Sequence, residues 1–145
     1  MYKFNLEPLL NYRKSIEETR KKDLALLNRL MIEAKRRLND YKKKRQRFNM
    51  ELQLKQKEGI TVFENLLYFN FMDQLSGKVN TQKDEIVQVG KQCDQKRKDL
   101  IEAVKERKAL DKLKEKKMNI YKQELSKNER EFLNDVAING FKRGM

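Results

Sequence analysis

Among side chains able to do covalent or proton-transfer chemistry, the chain offers one thiol, Cys93, and no imidazole. A cysteine nucleophile needs a neighbouring base or cation to form its thiolate, and histidine usually fills that role. With no histidine and no second cysteine, the sequence also has no ligand set for zinc, haem or an iron–sulfur cluster. Cys93 falls in step with a row of apolar residues, which reads it as a small core side chain. Asp and Glu are plentiful, but along charged helical stretches they mainly form surface ion pairs worth roughly a few tenths of a kcal/mol each. The sequence reading is therefore of a protein that is not an enzyme and needs no cofactor or metal.

The chemistry that remains is recognition. Gly59 to Leu75 holds three of the seven Phe of the chain, together with Tyr68, Leu66, Leu67 and Met72. On a helix advancing ~100° per residue, Leu66, Leu67, Tyr68, Phe69, Phe71 and Met72 point in every direction. One partner helix buries only one side of such a segment, so the rest is left for another surface. The alternative is a locally thickened core, with the turn folded back over the rings. Phe71 and Leu75, with Tyr41 and Phe48 on a facing helix, form the expected contact set, since aromatic anchors dominate such interfaces.

Charge is the other resource. The formal net charge is +13, and 39% of the residues are Asp, Glu, Lys or Arg. Basic runs occur at Arg20 to Lys22, Lys35 to Arg37 and Lys42 to Arg45. Such a field favours acidic partners without choosing among nucleic acid, anionic lipid and an acidic protein surface. It equally suits a solvated helix face. No base-stacking aromatics are interleaved with the runs and no nucleic-acid fold signature is present, so nucleic acid is not expected as a partner. No apolar run approaches the ~20 residues that span a bilayer. The opening MYKFNLEPLL is too short and too polar for a signal peptide, and a lone cysteine fits a reducing compartment. A soluble cytoplasmic protein is the expectation.

The elements that position these groups follow from periodicity. One Pro and five Gly in 145 residues leave little punctuation for a compact globule, whereas long helices sharing a narrow seam need little. From Leu24 the apolar positions step alternately by three and four through Leu27, Met31, Ala34, Leu38, Tyr41, Arg45, Phe48 and Leu52. A second row runs Tyr68, Phe71, Leu75, Val79, Gln82, Ile86, Val89, Cys93, Lys96, Leu100, Ala103, Arg107, Leu110. It keeps phase through Gly77, so the helix is expected to continue there. Asn5 as a cap and Pro8 in the first turn start a helix over about 5–56. Residues 57–61, with Gly59, form the turn, and Thr61 with Glu64 makes a capping box. A second helix is expected over 62–138, with a mobile tail over 139–145. The predicted fold is all-α: a single domain, 1–145, built as a long two-stranded antiparallel coiled-coil hairpin, a rod on the order of 80 to 110 Å. Arg13 and Arg20 fall on or beside the seam, so the first twenty residues or so should pair less firmly, or meet a third surface.

Several short motifs in order resemble one family. Phe4, Leu6, Leu9, Leu10, Tyr12 and Arg13 match an N-terminal F-x-L-x-x-L-L-x-Y-R. Gly59-Ile60 precedes an aromatic helix start with Phe69, Phe71 and Leu75. Ala103, Arg107, Lys108, Leu110, Lys112, Leu113, Lys114, Glu115 and Lys116 match a late A-x-x-x-R-K-x-L-x-K-L-K-E-K, and Glu129 to Asp135 is an acidic-aromatic end with Asn134-Asp135 where Asp-Glu is more usual. Together these resemble the flagellar export protein FliJ family over nearly the whole chain. The resemblance implies a coiled-coil stalk of the type III export apparatus, similar to the central stalk of rotary ATPases. It implies two partners, a hexameric export ATPase around the paired terminal ends and the cytoplasmic part of a membrane-embedded export gate at the middle. Export chaperones are further candidates. The implied location is cytoplasmic, at the inner membrane beneath the flagellum. On that basis Arg13, Arg20, Phe132 and Asp135 are expected to face the ATPase, and Tyr41, Phe48, Phe71 and Leu75 the gate. The equivalent stalk of a virulence-type secretion system shares this layout, and a basic coiled coil that binds nucleic acid or membrane is the alternative of a different class.

Overall fold

The computed structural model describes residues 2–144. Among them the chain is all-α, with two long helices packed against each other as a hairpin: α1 (Glu7–Glu58) and α2 (Val62–Arg143). After Pro8 in its first turn, α1 contains neither Gly nor Pro. It starts two residues later than Asn5: the Glu7 N–H closes a turn on the Phe4 carbonyl at 3.1 Å, and the first helical bond runs from the Leu10 N–H to the Leu6 carbonyl at 2.9 Å. Glu7 at the positive end and Lys55 and Lys57 in the last turn complement the helix dipole.

Gly59 ends α1 with φ +92°, a left-handed backbone that a side chain disfavours. The next helix is then capped as its sequence predicts. The Thr61 hydroxyl accepts the Glu64 N–H at 3.1 Å, and the Thr61 carbonyl accepts the Asn65 N–H at 3.0 Å. Across the turn, Gln56 Nε2 donates to Asn65 Oδ1 at 3.0 Å.

No break occurs at Gly77, which lies inside α2 and whose carbonyl accepts the Thr81 hydroxyl at 3.0 Å. A Cβ at Gly77 would meet nothing within 4 Å. Gly77→Ala should therefore stabilise the helix by about 1 kcal/mol. Gly59→Ala should cost about 1–2 kcal/mol, because the left-handed backbone resists a Cβ even in open space. Paired thermal melts followed by circular dichroism check both, and a shift of the same sign in the two variants would contradict the turn geometry. At the far end α2 runs past 138 to Arg143 because Gly140 keeps a helical backbone and does not act as a cap.

The chain divides into two compact units: Arg20–Asp99, which contains the turn, and Met1–Thr19 with Leu100–Met145, which contains both termini. In the turn unit every expected seam position, Leu24 to Leu52 on α1 and Tyr68 to Lys96 on α2, is buried or half-buried. Leu75, Val79 and Cys93 are among the most enclosed. Buried Gln82 reaches across and donates its Nε2 to the Ala34 carbonyl at 3.0 Å, so this polar side chain in an apolar row is satisfied.

In the terminal unit Leu10 is fully buried, and Phe4 and Ala103 are nearly so. Here the seam is charged as well as apolar. Glu17, itself buried, receives Arg107 at 2.7 Å (Nε) and 3.3 Å (Nη2), and Arg107 Nη1 also meets Asp111 at 2.8 Å. Arg13 pairs with Glu106, and Lys114 lies 2.8 Å from Glu7.

Candidate partner-binding surfaces

The aromatic residues of the turn unit divide into an inner and an outer set. The inner set meets across the seam. The Phe48 and Phe71 ring centroids lie 4.5 Å apart at 54°, and Phe48 and Tyr68 lie 6.5 Å apart at 58°. These tilted pairs suit the ring quadrupoles. Lysines roof the rings: Lys44 over Phe71 at 5.7 Å, Lys55 over Tyr68 at 5.2 Å, Lys78 over Tyr41 at 5.9 Å. Tyr68 also donates its hydroxyl to Glu51 at 3.3 Å. Tyr41, Phe48 and Phe71 are half-buried, and Leu75 is only 2% exposed.

Of the four residues read as the gate contact, then, Leu75 is a core residue, and the other three are half-buried in the seam. Stepping by three and four kept them on one face, and that face is the seam. The surface open to a partner is the outer set. Phe63 is 70% exposed, and Val62, Leu66, Leu67 and Phe69 are also more than half exposed. They lie in the first turns of α2, opposite the last turns of α1, which meet Asn65 and Tyr68 but leave these side chains more than half exposed.

The terminal unit has its own uncovered surface. Tyr2 packs on Tyr121, ring centroids 5.3 Å apart, and beyond Tyr121 every described residue of α2 is exposed. Leu125, Phe132 and Val136, seven and four residues apart, fall on one side of the helix and extend the line of Met118 and Tyr121. Phe132 is 68% exposed. An apolar stripe along an exposed helix asks for a covering surface.

Of the four residues read as the ATPase contact, Phe132 and Asp135 lie on this uncovered stretch. Arg13 is tied to Glu106, and half-buried Arg20 belongs to the turn unit. The sequence reading missed Glu17. Its signal was present, because Leu10, Arg13, Glu17, Arg20 and Leu24 continue the three–four alternation. A carboxylate at a seam position calls for a cation opposite, and Arg107 is that cation. Its guanidinium pKa is raised, first by the bond to Glu17 and then by Asp111, so the group stays charged at any working pH.

No group of three or more His, Cys, Asp or Glu among the described residues is arranged to hold a metal ion. Among the described residues no helix is long and apolar enough to cross a membrane.

The two units together define the class of the chain as an all-α helical hairpin with charged and aromatic surface left open in each unit. Residues 2–145 match the family model of the flagellar FliJ protein. The chain belongs to that family, whose members are stalk proteins of the type III export apparatus. In fold it is similar to a solved chain described as a YscO homolog from Chlamydia trachomatis, with TM-score 0.66 and 19% identity over 94% of this chain and 93% of that one. A comparison with curated proteins gives no match.

Proposed function

We propose that this chain is the non-enzymatic stalk of a flagellar export apparatus, binding the hexameric export ATPase through its terminal unit and the export gate through its turn unit. The observation that carries the reading is the family match over 2–145, joined to apolar surface left uncovered in both units. At the terminal end the contact runs along Leu125, Phe132 and Val136, with Asp135 beside them and Arg13 contributing charge. At the turn the contact is the outer row Phe63, Leu66 and Phe69, while Tyr41, Phe48, Phe71 and Leu75 hold the two helices that present it. Export chaperones are further partners on this reading. The protein resides in the cytoplasm, at the inner membrane beneath the flagellum. The equivalent stalk of a virulence-type system would use the same surfaces, and the ATPase it prefers separates the two.

Co-purification with the flagellar export ATPase, scored for both complex formation and ATP turnover, tests the proposal. Saturable binding of about one chain per six ATPase subunits, with raised turnover, is the result expected of a central stalk, each chain adding contacts to an assembly of the ring. A helical protein that neither binds nor changes turnover would remove the stalk reading.

A further inference from the structure

We infer that the outer face of α1 in the turn unit docks on an anionic lipid surface. Within 35–47, eight of thirteen residues are Lys or Arg and only Asp40 is acidic. Arg36, Lys43 and Arg47 are exposed, and among the described residues the ion pair on this stretch is Arg37 with Glu33, at 3.8 Å. Steps of seven, four, three and four residues bring Arg36, Lys43, Arg47, Met50 and Leu54 onto one side of α1, with Asp40 among them, away from the seam row of Leu38, Tyr41, Phe48 and Leu52. A shallow groove lined by Asp40, Lys43, Lys44, Arg47 and Met50 shows three cations, one carboxylate and the thioether side by side. Met50 and Leu54 are 57% and 61% exposed.

Clustered cations with exposed apolar side chains on one helix face are the pattern that lies at a bilayer interface. The cations meet lipid phosphates while the apolar tips enter the boundary between headgroups and acyl chains. Duplex DNA offers Met50 and Leu54 no such place, and an acidic polypeptide would draw on the cations alone. The charge excess supplies the complementarity, and the apolar pair selects lipid among acidic partners.

The inference does not depend on the stalk reading, and its test uses the protein alone. Full-length protein is sedimented with phosphatidylcholine vesicles and with phosphatidylglycerol-rich vesicles at physiological salt. Binding to the anionic vesicles only is expected. Each cation removed near the surface should weaken it about fivefold, so Arg36→Gln, Lys43→Gln and Arg47→Gln together should cost roughly a hundredfold. Neutralising three lysines of the terminal unit instead, Lys112→Gln, Lys116→Gln and Lys122→Gln, should leave most of the binding, which separates a docking face from net charge. Met50→Gln with Leu54→Gln should weaken vesicle binding but not binding to polyglutamate or duplex DNA. Circular dichroism verifies that each variant stays helical.

No binding to anionic vesicles, equal loss from the two lysine and arginine sets, or indifference to Met50 and Leu54 would each overturn the inference. Tighter binding to polyglutamate or DNA through the same three cations would overturn it in favour of that partner.

Discussion

Replacing Leu75 by Ala will cost the hairpin about 3 kcal/mol, while replacing Phe63 and Leu66 by polar residues will cost it almost nothing. Leu75 is 2% exposed and Val79, one turn on, is 1% exposed, so the truncation removes buried methyl groups and leaves a cavity that stiff neighbours close only in part. Phe63 is 70% and Leu66 55% exposed, so Phe63→Ser with Leu66→Gln removes surface that is already wet. Binding should respond in the opposite order. The surface pair should lower affinity for the cytoplasmic part of the export gate by tenfold or more, since exposed aromatic anchors carry much of the energy of such contacts. Thermal unfolding by circular dichroism and gate binding by calorimetry, on both variants, decide the matter. If Leu75→Ala melts like wild type yet loses the gate, the seam must open to expose Leu75 when the partner arrives.

The second large effect is expected at the far end of α2. Changing Leu125, Phe132 and Val136 together to Gln should reduce affinity for the export ATPase at least a hundredfold, about 3 kcal/mol, because three neighbouring anchors of one interface are lost. The melting midpoint should stay within a degree or so, because none of the three is covered by the chain itself and Gln is a good helix former. Analytical centrifugation of the variant with the ATPase measures the first quantity, and a melt of the variant alone the second. Undiminished binding would show that the ATPase reads another surface. A large fall in the midpoint would show that the stripe is already packed in solution, against a second copy of the chain.

Much of this was legible in the residues, for identifiable reasons. A three–four alternation leaves only one side of a helix for the core, so the seam from Leu24 to Leu52 and from Tyr68 to Leu110 could be read by counting. The same count carried α2 through Gly77 with one added step of four, from Leu75 to Val79, which a continuous helix absorbs. Thr61 and Glu64 announced a helix start because a cap is local, and the structure forms the bond from the Glu64 N–H to the Thr61 hydroxyl. What lay beyond counting was distance across the hairpin. Arg107 and Glu17 are ninety positions apart in the chain, and their meeting depends on the register that the turn imposes. Counting also shows which residues share a face, but not how much of that face the neighbour covers. That is why Leu75 read as a contact and proved to be core, while the uncovered rings lay on the other side of the same turn.

The two seams are held by different forces, and this has a consequence for their environment. In the terminal unit, pairs cross between the helices at Arg13–Glu106, Glu7–Lys114 and Glu17–Arg107. The first two pairs keep about a third or more of their side-chain surface in water, where added salt screens them, while Glu17 is largely sheltered. In the turn unit one such pair, Lys96–Asp23, also crosses between the helices, but packed rings and leucines do most of the holding, and salts excluded from apolar surface strengthen such contacts. Adding an excluded salt such as sulfate therefore pushes the two units in opposite directions. The protein's grip on itself is balanced by the composition of the fluid around it, loosening at the paired ends under the same conditions that tighten it at the turn.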